Sequence, residues 1–180
     1  MMLQIDHRES RDVDIFLYDP QLLQFLDPRK HDFQFEILSD AYGGDGTKTV
    51  KIAFTKIGEI DFIVAGAMTT LPTTAGTIDG EIVLLETIPE IITKKIYHRA
   101  AALKPRDIFG IAAAAGQQCA ERVIEALRSY PDQVAQALAT MEKLNPDFVY
   151  LAIAQLAIRD RYKTIAKTAI AKSIEILRAV

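Results

Sequence analysis

The chain has 180 residues, about half of them apolar, and a formal net charge of −3. That is enough material for a full core, and the mild acidity excludes a general electrostatic grip on nucleic acid while leaving room for a local basic patch. No stretch reaches the roughly 20 apolar residues of a bilayer-crossing helix, and Met1-Met2-Leu3-Gln4-Ile5-Asp6 lacks the basic and apolar regions of a signal peptide, so a cytoplasmic protein without a membrane partner is expected.

In chain order, Asp12 to Tyr18 reads as a strand, with Val13, Ile15 and Leu17 facing a core and Asp12 and Asp14 facing away from it. Asp19-Pro20 reads as an N-cap followed by proline at the first helical position, with a short helix over Gln21 to Leu26 that ends at Asp27-Pro28. Phe33 to Leu38 fits a strand or a helical turn, and Ala41-Tyr42-Gly43-Gly44-Asp45-Gly46 reads as a loop by its glycine density. Thr49 to Thr55 alternates Val50, Ile52 and Phe54 against Thr49, Lys51 and Ala53. A turn at Lys56-Ile57-Gly58 and a strand over Glu59 to Val64 complete an antiparallel hairpin. Ile82 to Leu85 offers a further strand.

From Pro89 onward the pattern is helical. One helix runs to about Leu103, and Pro105 opens the next. Later ones follow Tyr130-Pro131-Asp132, Asn145-Pro146-Asp147 and Arg159-Asp160-Arg161. Cys119, in the alanine-rich stretch after Ala100, cannot form an internal disulfide and reads as a small buried apolar residue. His7, His31 and His98 share no zinc-ligand spacing with one another or with Cys119. Strands first and helices after imply an α+β fold: a mixed β-sheet region over residues 1–87 and a helical region over 88–180 packed on it as one compact unit.

The chemistry concentrates in Arg8-Glu9-Ser10-Arg11-Asp12-Val13-Asp14. Two carboxylates on one strand face are costly together unless a cation or a proton sits between them. Hard oxygen donors of this kind suit Mg²⁺, which binds through one or two carboxylates plus substrate phosphates. The same residues also read as a solvated strand face. Asp61 shares a face with Glu59 and joins Asp12 and Asp14 if its strand pairs beside theirs. Lys95 and Arg99 lie one helical turn apart, and Lys104-Pro105-Arg106-Asp107 puts an acid in a helix's first turn, where the dipole favours it.

The order His7-Arg8-x-Ser10-x-Asp12-x-Asp14-x-Phe16, then Asp61, then Lys94-Lys95-Ile96-x-x-Arg99, then Arg106-Asp107-Ile108-Phe109 resembles the AbiEii/AbiGii toxin family of nucleotidyltransferase-like proteins. The likeness covers Leu3 to Ile111. It implies a nucleotidyltransferase-like mixed sheet carrying a carboxylate triad, Mg²⁺, a nucleoside triphosphate as substrate and transfer of nucleotides to an acceptor such as a tRNA end. It also implies a separate antitoxin protein as partner. By resemblance, Asp12, Asp14 and Asp61 are the catalytic and metal-binding acids. Arg8 and Ser10 lie near the phosphates, Lys95 contacts the triphosphate, and Arg106 and Asp107 shape the pocket.

Two departures stand out. The family's glycine turn, about ten residues before its Asp-x-Asp, would fall before Met1, so the sheet reads as truncated and the chain as starting late. Its exposed edge predicts a homodimer or a cover from the long helices. The second departure is Gly110, where the family often has another Asp. An alternative function follows: a degenerate, non-catalytic member serving as a binding or dimerising module.

Overall fold

A computed structural model describes residues 1–27, 41–43, 47–54, 56–115 and 119–180. The fold is α+β: β-structure followed by a helical C-terminal half. The chain forms two compact units, Ser10–Gly66 and the combination of Met1–Glu9 with Ala67–Val180. The division differs from the boundary expected near residue 87. The hairpin over residues 73–86 belongs with the helices because the segment before it and the strand ending it are bonded to the first long helix.

In the first unit, β1 (Val13–Leu17), β2 (Ala41–Gly43), β3 (Thr49–Phe54) and β4 (Gly58–Val64) form a sheet in the order β1-β4-β3-β2. β1 runs parallel to β4, and the other neighbours are antiparallel. Asp19 caps a short 3-10 helix, Pro20–Phe25, accepting from the Gln21 N–H at 2.8 Å. Two expectations need correcting. Ala41–Gly43 is a strand, not a loop: the open edge of β3 supplies ladder partners that outweigh the glycine. Val13 and Ile15 are exposed at 52% and 37%, because among the described residues β1 is a five-residue edge strand; the buried aliphatic side chains described in this sheet are Val50 and Ile52 on β3. The segment Phe33 to Leu38 and residues Gly44 to Gly46 lie outside the described residues.

Gly58 sets how β4 starts. Its φ is +151°, and a Cβ there would lie 2.2 Å from the Arg11 carbonyl oxygen. Arg11 Nη1 also donates to the Lys56 carbonyl at 2.7 Å. Glycine alone allows the backbone just before β1 to come this close to the start of β4.

In the second unit, α1 (Met2–Ile5) precedes an extended segment stapled to residues 157–162. Glu9 N–H donates to the Ala157 carbonyl at 2.9 Å, and the Tyr162 hydroxyl donates to the Ile5 carbonyl at 2.8 Å. β5 (Thr73–Ile78) and β6 (Glu81–Glu86) form an antiparallel hairpin leading into α2 (Ile88–Arg99). Then follow α3 (Pro105–Ala115), α4 (Ala120–Leu127), α5 (Pro131–Glu142), α6 (Pro146–Ala154), α7 (Lys163–Lys167) and α8 (Ala169–Arg178). Proline opens α3, α5 and α6, where its missing N–H costs nothing.

The core of this unit gathers Ile92 and Ile96 of α2, Ile108, Phe109 and Ile111 of α3, and Leu127, Met141, Ile153 and Leu177 from later helices. Each such side chain contributes about 1.5–3 kcal/mol on burial. Glu90 is wholly buried in α2, yet its carboxylate accepts from the Met68 and Thr69 N–H groups and the Thr69 hydroxyl, with Lys94 Nζ at 3.3 Å. It thereby ties the segment before β5 to α2.

Gly58→Ala should lower stability by about 2 kcal/mol or more in urea denaturation, because the new methyl must displace backbone. Gly80, with φ +88° and open space around it, is the control. Gly80→Ala should cost about 1 kcal/mol, and equal losses for both variants would contradict the close-approach account.

Candidate functional site

The pairing of β1 with β4 puts Asp14 directly opposite Asp61, and the pairing of β3 with β4 puts Lys51 on the other side of Asp61. Asp14, Asp61 and Lys51 therefore form one cross-strand row. Alternation along β4 brings Glu59 to the same face. Lys51 donates to the Glu59 carboxylate and lies 3.4 Å from Asp61 Oδ2. Burial raises the Asp61 carboxyl above the usual carboxylate range; Lys51 opposes this, and the charges of Asp14 and Glu59 reinforce it. The hydrogen bond to Glu59 leads the effects that raise the Lys51 ammonium.

Asp12 immediately precedes β1 and is exposed. Among the described residues no group of three His, Cys, Asp or Glu side chains is arranged to hold a metal ion. The donors that the strands bring side by side are Asp14 and Asp61, an all-oxygen pair of the kind Mg²⁺ takes when phosphates supply the rest. The donor chemistry fits that ion.

The helical unit carries a second constellation around Asp107, which is fully buried in the first turn of α3. Lys95 Nζ lies 2.8 Å from Asp107 Oδ1 and Arg99 Nη1 3.5 Å from it, and the Lys104 N–H donates to Asp107 Oδ2 at 3.3 Å. Burial alone would raise the Asp107 carboxyl, but Lys95, Arg99 and the Lys104 N–H together hold it below the usual range. Burial lowers the Lys95 ammonium; Asp107 pulls it back up, while Arg99 and Arg8 add repulsion. Two cations thus gather on one carboxylate, with Arg8 close enough to act on Lys95. His7 is buried beside them, packed on the Phe109 ring with centroids 5.6 Å apart, and its Nδ1 has no hydrogen-bond partner. Burial first, then the charges of Arg8 and Lys95, push the imidazole down to about 4, so it is neutral at pH 7.

The sequence-predicted residues therefore fall into distinct places. Asp14 and Asp61 meet on the sheet. Lys95 and Asp107 meet on the helices, with Arg8 near enough to act on Lys95. Ser10 is half-buried at the start of the sheet unit. Arg106 is exposed and has no hydrogen bond or ion pair among the described residues, since it points off a different side of α3 from Asp107, one residue away. At Gly110 a Cβ would meet the Met1 side chain at 3.6 Å, an ordinary contact with a thioether end.

Lys51 and His7 carry more than their sequence signals suggested. Lys51 was legible, because a three-residue connection from Phe54 to Gly58 places it opposite Asp61. The burial of His7 was not, because it comes from segments more than a hundred residues away, such as Tyr162.

No family model and no curated protein matches the sequence. Among solved structures, the chain is similar to the crystal structure of a "putative nucleotidyltransferase from H. pylori", with 14% identity and a TM-score of 0.47, over 95% of this chain and 77% of that one. No helix among the described residues is long and apolar enough to cross a membrane.

The His7 environment makes stability depend on pH. The folded-state value near 4 lies below the ordinary 6.5, so the unfolded chain takes up the proton first as pH falls. The full stability holds above pH 6.5 and is lost on descent toward pH 4, with about 2 kcal/mol gone between pH 7 and pH 5. Urea denaturation at the two pH values should show this loss in the wild type and a much smaller one in His7→Leu. An equal loss in both would contradict the assignment.

Proposed function

We propose that the chain is a Mg²⁺-dependent nucleotidyltransferase of the AbiEii toxin type. It passes a nucleotide from a nucleoside triphosphate to an acceptor hydroxyl such as that of a tRNA end, works in the cytoplasm and is held in check by an antitoxin protein. The observation that carries this reading is the in-register pair of carboxylates, Asp14 and Asp61, on adjacent parallel strands. A fold that needed only a polar strand face would gain nothing from two like charges directly opposite each other, an arrangement that costs stability.

Asp14 and Asp61 would hold the ion, with Asp12, two residues before Asp14, as the third acid. When bound, Mg²⁺ neutralises phosphate charge and lowers the pKa of an attacking oxygen. In the reaction the acceptor oxygen bonds to the α-phosphorus and the bond to the bridging oxygen of the β-phosphate breaks. Pyrophosphate leaves, and the hydroxyl proton passes to a carboxylate of the sheet.

The helical unit supplies cationic groups suited to phosphate oxygens. Lys95 is the phosphate ligand there, with Arg8 and Arg99 adding positive field; in the sheet unit Ser10 is a hydroxyl donor to phosphate oxygens. Asp107 acts as a positioning residue. Its bond to Lys95 fixes the ammonium, and it leaves the cations in excess. Preorganised charge of this kind supplies most of the rate enhancement in phosphoryl transfer. Arg106, exposed on α3, is available to a polyanionic acceptor.

Incubation of the chain with each α-labelled nucleoside triphosphate, Mg²⁺ and a tRNA pool tests this. Label should enter the tRNA with at least one nucleotide and disappear when the metal is chelated. Asp14→Asn should cut the rate by about a hundredfold or more, and Lys95→Met by about ten- to a hundredfold. No labelling with any of the four triphosphates, or full activity in Asp14→Asn, would overturn the reading.

A further inference from the structure

Among the described residues, β5 and β6 stand as a two-stranded sheet of their own, with six residues in each strand. A ribbon of that size is marginal in water unless a third strand or another layer joins it. On one face Ile82 and Leu84 are exposed at 81% and 75%, and Val83 and Leu85 on the other face are only half-buried. The two-residue turn at Asp79-Gly80, with φ of +50° and +88°, fixes which backbone groups point off the edges. Ile78 and Glu81 flank it and exchange both ladder bonds, as do the pairs Gly76–Val83 and Thr74–Leu85. The N–H and C=O groups of Thr73, Ala75 and Thr77 therefore point outward from β5. They have no hydrogen-bond partner among the described residues.

The two edges differ. On β6 the Glu86 carbonyl already accepts from Gln4 Nε2, and the Glu86 carboxylate is paired with Lys94. Two β6 strands set antiparallel about Leu84 would also put Ile82 against Glu86 of the other copy. The β5 edge reads Thr-Thr-Ala-Gly-Thr-Ile, without the charge, proline or bulge that guards an open edge. We propose that this edge docks a second copy of the chain. Two β5 strands run antiparallel about a twofold axis at Ala75. Ala75 then faces Ala75, and Thr73 faces Thr77 on either side. The outward groups of one copy meet those of the other, and each pair exchanges both bonds. Threonine opposite threonine is a favourable cross-strand pair, and no like charges oppose each other. The two ribbons become one continuous sheet, beyond the size at which a sheet needs other support. The contact is isologous and closes at two copies. A single-strand edge is smaller than a standard interface, so the dimer is a reversible one.

Sedimentation equilibrium of the whole chain between about 1 μM and 1 mM tests this. The wild-type mass should rise from the 20.0 kDa of one copy toward twice that. Ala75→Pro removes an outward N–H that the β5–β6 ladder does not use, so the hairpin keeps its bonds while the edge is blocked. This variant should stay at the mass of one copy throughout. Ala75→Lys leaves the backbone unchanged and sets two lysines against each other at the axis. It should weaken association about fivefold, and it decides the matter if far-ultraviolet circular dichroism shows the proline variant unfolded. Leu84→Lys, on the other edge, should associate like the wild type. In the wild type, amide exchange at Ala75 should slow as concentration rises. A wild-type mass of one copy at every concentration would overturn the proposal. So would a dimer that both Ala75 variants leave unchanged, or one that only Leu84→Lys weakens.

Discussion

The constraint on which the sheet's chemistry depends is the parallel register of β1 on β4. That register puts Asp14 level with Asp61, and a slip of one residue would send one of the two to the opposite face. Two features hold it. Gly58 lets the Arg11 backbone come into contact with the start of β4, and Arg11 bonds back to the turn at Lys56. The cost of paired carboxylates is partly offset inside the sheet by Lys51. The offset is incomplete, because Asp61 remains harder to ionise than an ordinary aspartate.

The helical unit shows the opposite balance. There one buried carboxylate, Asp107, anchors Lys95 and Arg99, and Arg8 adds a third positive charge nearby. A buried pair of opposite charges contributes little net stability, since the desolvation of both groups consumes most of the attraction. What it provides is position. The ammonium of Lys95 is held at a fixed place. His7, neutral in the same surroundings, adds no charge of its own and fills space between aromatic rings. Glu90 plays a comparable part elsewhere in α2, where a wholly buried carboxylate is tolerated because backbone N–H groups and Lys94 satisfy it.

Much of this was legible from local signals. The alternation in β3 and β4, the proline starts of α3, α5 and α6 and the Asp19 cap are written in short windows, and the elements formed where those windows placed them. The Asp14–Asp61 pairing followed from a conditional reading, since spacing gives the face of each strand but not which strands are neighbours. The misreadings share a cause in long-range structure. Ala41–Gly43 became a strand because it pairs with β3, and Val13 and Ile15 stayed exposed because β1 has one neighbour among the described residues. Nothing local shows that the first nine residues fold with residues 67–180, an association made through pairings such as Glu9 with Ala157.

The central claim is that Asp14 and Asp61 share one divalent cation. Carboxyl carbon resonances, assigned through Asp14→Asn and Asp61→Asn, report it directly during titration with small amounts of paramagnetic Mn²⁺. The account predicts that the Asp14 and Asp61 signals broaden together at the lowest Mn²⁺ concentrations, before those of the surface acids Asp79 and Asp132, and that excess Mg²⁺ restores them. Broadening spread evenly over the surface acids, or confined to one member of the pair, would contradict it.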